Sequence, residues 1–325
     1  MPQARTHAAA FLVALVALAG AGATLAPLPA DAAAPIVKTQ APGYYRMMLG
    51  DFEVTALNDG FIDLPVDKLL KQPAQKTQAA VARHFLSIPV ETSVNEFLVN
   101  TGTKLVLIDT GTAGAFGPTA GRMLQNLQAA GYKPEQVDDI FITHFHGDHL
   151  GGLAANGQRV FPNAVVHADK READHFLSTA EMDKAPEEAR NGFKLAMAQL
   201  KPYMDAGRFQ PFDASAEIVP GVRAWETPGH TPGHASYVVE SQGHRLIVTG
   251  DLIHVGSVQF DDPTVTIEFD VDGPAARAQR LKVFAQAAKS GDLIAGAHLQ
   301  FPGMGHLRAS GRGFQFVPVN YTQPR

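Results

Sequence analysis

The chain of 325 residues contains no cysteine. That absence excludes disulfides, thiolate zinc fingers, iron–sulfur clusters, a cysteine nucleophile and a lipid-anchored thiol. Positive charge is not in excess: 27 Lys and Arg stand against 32 Asp and Glu, a formal charge of −5. Nucleic acid is therefore not an expected partner. Tryptophan occurs once, and charged residues make up only 18% of a chain that is 45% hydrophobic. This is a globular composition, not a disordered one. After Pro35 there is no long linker, low-complexity run or repeat. The length allows one large or two small domains, with ample material for a core. What the chain holds in quantity is histidine, 13 residues. Without thiolates, any metal site must be built from imidazole and carboxylate.

The first 32 residues read as a separate unit. Arg5 precedes an apolar run from Ala8 to Leu18, then a Gly/Ala/Pro-rich stretch ending Ala30-Asp31-Ala32. A basic start, a short apolar run and a small-x-small exit describe a secretory signal peptide. The expected cut follows Ala32, with Ala23 second. That leaves residues 33–325 as the mature domain, secreted or periplasmic. An uncleaved anchor competes on length, but Gly20, Gly22, Pro27 and Pro29 disfavour it.

Downstream, apolar alternation and turn residues mark the elements. Tyr45–Leu57 reads as two strands around Gly50-Asp51, and Val94–Val99 with Lys104–Ile108 as a hairpin. Helical spacing covers Thr119–Ala130, stopping at Gly131. Val137–Thr143 reads as a buried strand running straight into His144. Helices follow at Asp169–Leu177, Glu187–Met204 and Pro274–Lys289, the last with Gly291 beyond its end. Strands are expected at Val222–Thr227, Ala235–Glu240, Arg245–Thr249 and Leu293–Ala297. The pattern suggests sheets packed inside helical layers.

The chemistry concentrates at Thr143-His144-Phe145-His146-Gly147-Asp148-His149. His144 and His146 alternate, so on an extended segment they face one way. Gly147 then permits a turn that presents Asp148 and His149. Imidazole and carboxylate at a strand end suit zinc and related first-row ions. No Gly-x-Ser-x-Gly element offers a serine nucleophile instead.

His-x-His-x-Asp-His at a strand end resembles the metallo-β-lactamase fold superfamily, and the likeness extends from about residue 45 to the C-terminus. It implies an α/β fold, an αββα four-layer sandwich with the site where its two halves meet. It also implies two divalent metal ions, zinc first, with manganese, iron or cobalt also compatible. By the same resemblance His144, His146 and His230 (in Gly229-His230-Thr231) hold one ion. Asp148, His149 and His298 hold the other, and Asp251 (in Thr249-Gly250-Asp251) lies between. Asp109, in Ile108-Asp109-Thr110-Gly111, matches an aspartate that orients a ligand imidazole. His234 sits four residues from His230 and reads as structural. His84, His167, His175, His244 and His306 read as structural or surface residues, and His7 falls in the leader. A metal pair supplies hydroxide near neutrality and polarises an electrophile, which implies hydrolysis.

Longer stretches, including Asp63–Leu70, Glu91–Asn95, Val238–Gly243, Val258–Pro263 and Phe316–Tyr321, are similar to the methyl parathion hydrolase subfamily. That subfamily is exported and includes phosphotriesterases and lactonases that open dihydrocoumarin. The chain departs from the phosphotriesterase form at Leu69, His254, Ile267 and Phe269. Bulky Ile267 and Phe269 narrow a pocket, and His254 adds a polar group near the metals. Phe116, Phe176 and Phe193 are further pocket candidates by resemblance. The resulting expectation is a hydrolase of small-molecule lactones and aryl esters, using Asp251, Asp109 and His254 in catalysis. Phosphotriester hydrolysis comes second. A β-lactam hydrolase, a nuclease and a non-catalytic metal-binding protein of the same fold are weaker alternatives. A homodimer is implied by resemblance, and stable membrane insertion after cleavage is not expected.

Overall fold

The computed structural model describes residues 34–213, 215 and 217–322. The expected signal peptide, residues 1–32, lies outside the described residues. Two seven-stranded mixed sheets dominate the described chain. The first runs, in spatial and chain order, through β1 (Tyr44–Leu49), β2 (Phe52–Leu64), β3 (Val90–Asn100), β4 (Leu105–Ile108), β5 (Asp139–Phe141), β6 (Val165–Asp169) and β7 (Phe209–Phe212). The second runs through β8 (Glu217–Val219), β9 (Val222–Glu226), β10 (Ala235–Ser241), β11 (His244–Val248), β12 (Leu293–Ala295), β13 (Met304–Ser310) and β14 (Gly313–Pro318). Strands β4 to β7 are parallel, as are β11 and β12, and the other pairs are antiparallel.

Period-two alternation divides each strand between two cores. Phe97, Val99, Val106, Ile108 and Phe141 of the first sheet meet Tyr237, Val239, Leu246, Val248 and Ala295 of the second. Their neighbours Leu98, Leu107, Ile140 and Val166 face the other way, against Met123, Leu127, Phe193 and Leu200 of the helices Met123–Ala129 and Arg190–Asp205. On the far side, Val238, Ile247 and Ile294 pack on Val283, Phe284 and Ala287 of the helix Gly273–Ser290. These are the four layers, helix–sheet–sheet–helix, expected from the sequence.

The helix Gly273–Ser290 follows its sequence signals closely. Asp272 caps it by accepting from the Ala275 amide at 3.0 Å, Pro274 sits in its first turn, and Gly291 ends it at φ 74°. Other boundaries differ. Strand β2 continues to Leu64, seven residues past the expected end, because a bulge at Asn58/Gly60 keeps it paired with β3. Gly60 takes φ 132° there, and a Cβ would meet the Thr119 carbonyl oxygen at 2.0 Å. The helices Ala74–Arg83, Lys170–Phe176 and Thr179–Lys184 and the hairpin β13–β14 are among the remaining elements. Among the described residues, no helix is long and apolar enough to cross a membrane.

Candidate metal centre

The chemistry-bearing residues follow the C-terminal ends of strands, where open parallel sheets leave room for ligands. Asp109 follows β4, His144 follows β5, His230 follows β9, Asp251 follows β11 and His298 follows β12. Phe145 is fully buried in the helix-side core. Anchoring it there turns His144 and His146 together toward the site. A four-residue helix, Gly147–Leu150, then supplies Asp148 and His149.

Three imidazole nitrogens converge. His146 Nδ1 lies 3.0 Å from His144 Nε2 and 3.1 Å from His230 Nε2. Asp251 Oδ2 stands 3.5 Å from His144 Nε2 and 3.3 Å from His230 Nε2. The other oxygen, Asp251 Oδ1, is 3.2 Å from both His149 Nε2 and His298 Nε2. Asp148 Oδ2 closes this second group at 3.6 and 3.5 Å from the same two nitrogens. Asp251 thus divides its two oxygens between two donor clusters.

These donors fit a pair of cations. His149 Nε2 and Asp251 Oδ1 are buried with no hydrogen-bond partner among the described residues. Leaving such groups unpaired costs about 1–3 kcal/mol each, and a cation between them removes that cost. Four donors around zinc at bonds of about 2.0–2.1 Å stand about 3.3–3.4 Å apart. The first cluster spans 3.0–3.5 Å, which matches.

A ring of partners fixes the imidazoles. Asp109 Oδ2 accepts from His149 Nδ1 at 2.8 Å, while its two oxygens also accept from the Thr143 amide and hydroxyl. Its φ of 63° is left-handed, an uncommon backbone state for a non-glycine residue. His298 Nδ1 donates to the Ser93 carbonyl at 2.9 Å. His230 Nδ1 meets Asp270 Oδ1 at 3.0 Å. His234 lies one layer back: Nδ1 contacts Thr227, and Nε2 accepts from the Asp251 amide at 2.9 Å. It thereby sets the backbone of Asp251.

Burial holds His146 and His234 down to about 3, and it pushes His144 well below the usual range. These three rings are neutral. Against the cost of burial, hydrogen bonds to Asp251 and Asp270 lift His230 to about 9. Also against burial, the charges of His149 and His298 hold Asp251 well below the carboxylate range.

A cavity of about 280 Å³ opens over the donors, lined by Ile62, Leu64, Thr92, Phe116, Phe269 and His254 among others. Of the seven pocket residues expected from the sequence, Phe116, His254 and Phe269 lie on this wall. Leu69 and Ile267 pack instead with Val66, Leu70 and Val258 beneath it. Phe176 and Phe193 pack against each other at a tilt of 41° with centroids 5.0 Å apart, in the helix-side core. Phe176 reaches the site only as an edge contact to His146.

Two buried acids had no sequence signal. Glu172 accepts from the Phe145 amide, the Thr231 hydroxyl and the Gly233 amide at 2.8–2.9 Å. It ties the His144–His149 segment to the His230 loop. Burial pushes Glu172 up to about 7. Asp270 is the other, and Arg280, fully buried, reaches it at 4.0 Å. Neither acid sits in a short motif. Glu172 lies in the first turn of the helix Lys170–Phe176, an ordinary place for an acid, so nothing in the sequence marks it.

The metallo-beta-lactamase superfamily model matches residues 90–298. The chain belongs to that superfamily. It is a metal-dependent hydrolase, and solved relatives agree. Hydrolase AbOPH of the beta lactamase superfamily superposes with a TM-score of 0.84 at 38% identity, over 88% of this chain and 100% of that one. AidC, a dizinc quorum-quenching lactonase in complex with a product, N-hexanoyl-L-homoserine, gives a TM-score of 0.78 at 26% identity, over 86% and 99%. The N-acyl homoserine lactonase of Bacillus thuringiensis is 24% identical over 244 residues, 70% of this chain and 88% of that one.

Proposed function

We propose that this hydrolase opens lactones and cleaves aryl esters at a centre of two divalent cations, zinc first. The observation that carries the reading is the division of Asp251 between two donor clusters beneath a mainly apolar cavity. His144, His146 and His230 would hold one ion, and Asp148, His149 and His298 the other, with Asp251 shared. Two such ions supply Lewis acidity and acidify water near neutral pH.

The rest is the work of side chains. Asp109, Asp270 and the Ser93 carbonyl hold three imidazoles in the tautomer that presents Nε2 to the centre. Phe116, Phe269, Ile62 and Leu64 give a flat aryl or alkyl group an apolar seat and exclude water around it. Lactonases among the relatives support the substrate class. Phe269 on the wall takes up room that a tetrahedral phosphotriester with two alkoxy arms needs more than a planar lactone does.

A second reading, phosphotriester hydrolysis, rests on the same donors and on the similarity to methyl parathion hydrolases. Purified protein with its metal content measured should be assayed on dihydrocoumarin, an acyl-homoserine lactone, a phenyl ester and methyl parathion. The lactones are expected to show the highest kcat/KM. A preference for methyl parathion would reverse the order. Two bound ions with no turnover of any ester would return the non-catalytic alternative. We also propose export to the periplasm, which mass spectrometry of the mature N-terminus tests directly.

A further inference from the structure

His254 is the eighth candidate donor at this centre, and it lies outside the seven-residue set implied by the sequence. It follows β11 by six residues and lines the cavity. The residue is 3% exposed, and neither ring nitrogen has a hydrogen-bond partner among the described residues. Yet its Nε2 stands 3.1 Å from Asp251 Oδ2. That separation is close to the 3.3 Å of His230 from the same oxygen and the 3.2 Å of His298 from Oδ1. A nitrogen this close to a carboxylate oxygen, but not aligned to bond it, has the relation of two ligands on one cation. Such ligands sit side by side and aim at the ion, not at each other.

The surroundings favour the same geometry. The His254 ring stacks on His298 at 5.4 Å with an interplanar angle of 18°, and it leans on His230 at 5.0 Å. One donor atom each from Asp251, His254 and His298 falls within a 4.8 Å cluster.

We infer that His254 is a metal ligand, adding an imidazole donor on the cavity side beside Asp251 and His298. The inference rests on the two-cation reading above. Its consequence is a tighter centre with one fewer position open to a substrate oxygen.

The test compares wild type with His254→Leu and His254→Gln, each checked for folding by circular dichroism. Zinc affinity is measured by chelator competition, and the cobalt(II)-substituted proteins are compared by their visible absorption. Loss of a ligand should weaken one of the two ions by tenfold or more in both variants, by analogy with the 10–100-fold effects of orienting partners. The cobalt bands should shift with it. If both variants hold two ions within threefold of wild type, with unchanged cobalt spectra, His254 is a cavity wall and the inference fails. A wild-type chain that binds fewer than two ions overturns the two-cation reading itself, and this inference with it. The two failures are therefore read in different samples.

Discussion

Replacing Asp270 by Asn tests how the centre is held. Asp270 Oδ1 meets His230 Nδ1 at 3.0 Å, and Oδ2 accepts from the Ile267 amide at 3.1 Å. The side chain is 1% exposed, with Arg280 at 4.0 Å. Asparagine keeps the shape but removes the charge. The charge-assisted bond to His230 loses about 1.5–3 kcal/mol of its worth. Arg280 also loses its anionic neighbour inside the protein. Breaking a buried pair costs about 3–5 kcal/mol. At 4.0 Å this pair is loose, and three carbonyls still accept from the guanidinium. The low end therefore applies, and the metal-free protein should lose about 2–4 kcal/mol in urea unfolding. His230 keeps only a neutral acceptor in place of the carboxylate that fixes its tautomer and raises its basicity, so one ion should weaken about 10–100-fold. Chelator competition reads this directly. Affinity within threefold of wild type would show that Asp270 does not orient His230, and the reasoning would be wrong.

Glu172→Gln keeps one acceptor but sets an amide N–H against the Gly233 N–H. A loss of about 1–3 kcal/mol in thermal or urea unfolding is expected, and none if Glu172 is not what joins the two loops. Phe116 is 44% exposed on the cavity wall, so Phe116→Ala should raise KM for an aryl lactone about 5–30-fold with kcat nearly unchanged. A fall in kcat alone would place Phe116 elsewhere in the reaction. In the metal-free chain His230 is lifted to about 9, so it carries a proton at pH 7 that a cation must displace. Metal affinity should fall as pH drops below about 9, and calorimetry in buffers of different ionisation enthalpy should show proton release. Uptake without protons would contradict this.

The sequence exposed the parts of this site that are compact or end a strand. His144, His146, Asp148 and His149 fall within six residues, and Asp251 and His298 each follow a buried apolar run. Their meeting point was legible because short strands deliver them to one edge. Asp270, Glu172 and Arg280 were not legible. Each is a single charged residue in a loop or helix, and the partners that place it here lie 10 to 61 residues away in sequence. Only packing brings them together. The cavity wall was half legible for a similar reason. Ile62, Leu64 and Thr92 belong to the far ends of β2 and β3, which pairing across the Gly60 bulge prolongs. Phe176 and Phe193 carry the apolar surface of a pocket wall, but their helices turn it into the core. The hairpin β13–β14 carries little apolar signal in the sequence, because exposed positions run through much of both strands.

The central claim is two cations sharing Asp251, and a crystal of zinc-loaded protein measured at the zinc absorption edge tests it most directly. Two anomalous peaks about 3.5–4 Å apart are expected. One should lie among His144, His146 and His230, the other among Asp148, His149 and His298, with one Asp251 oxygen toward each. A single peak, or two that leave Asp251 bound to neither, would contradict the account.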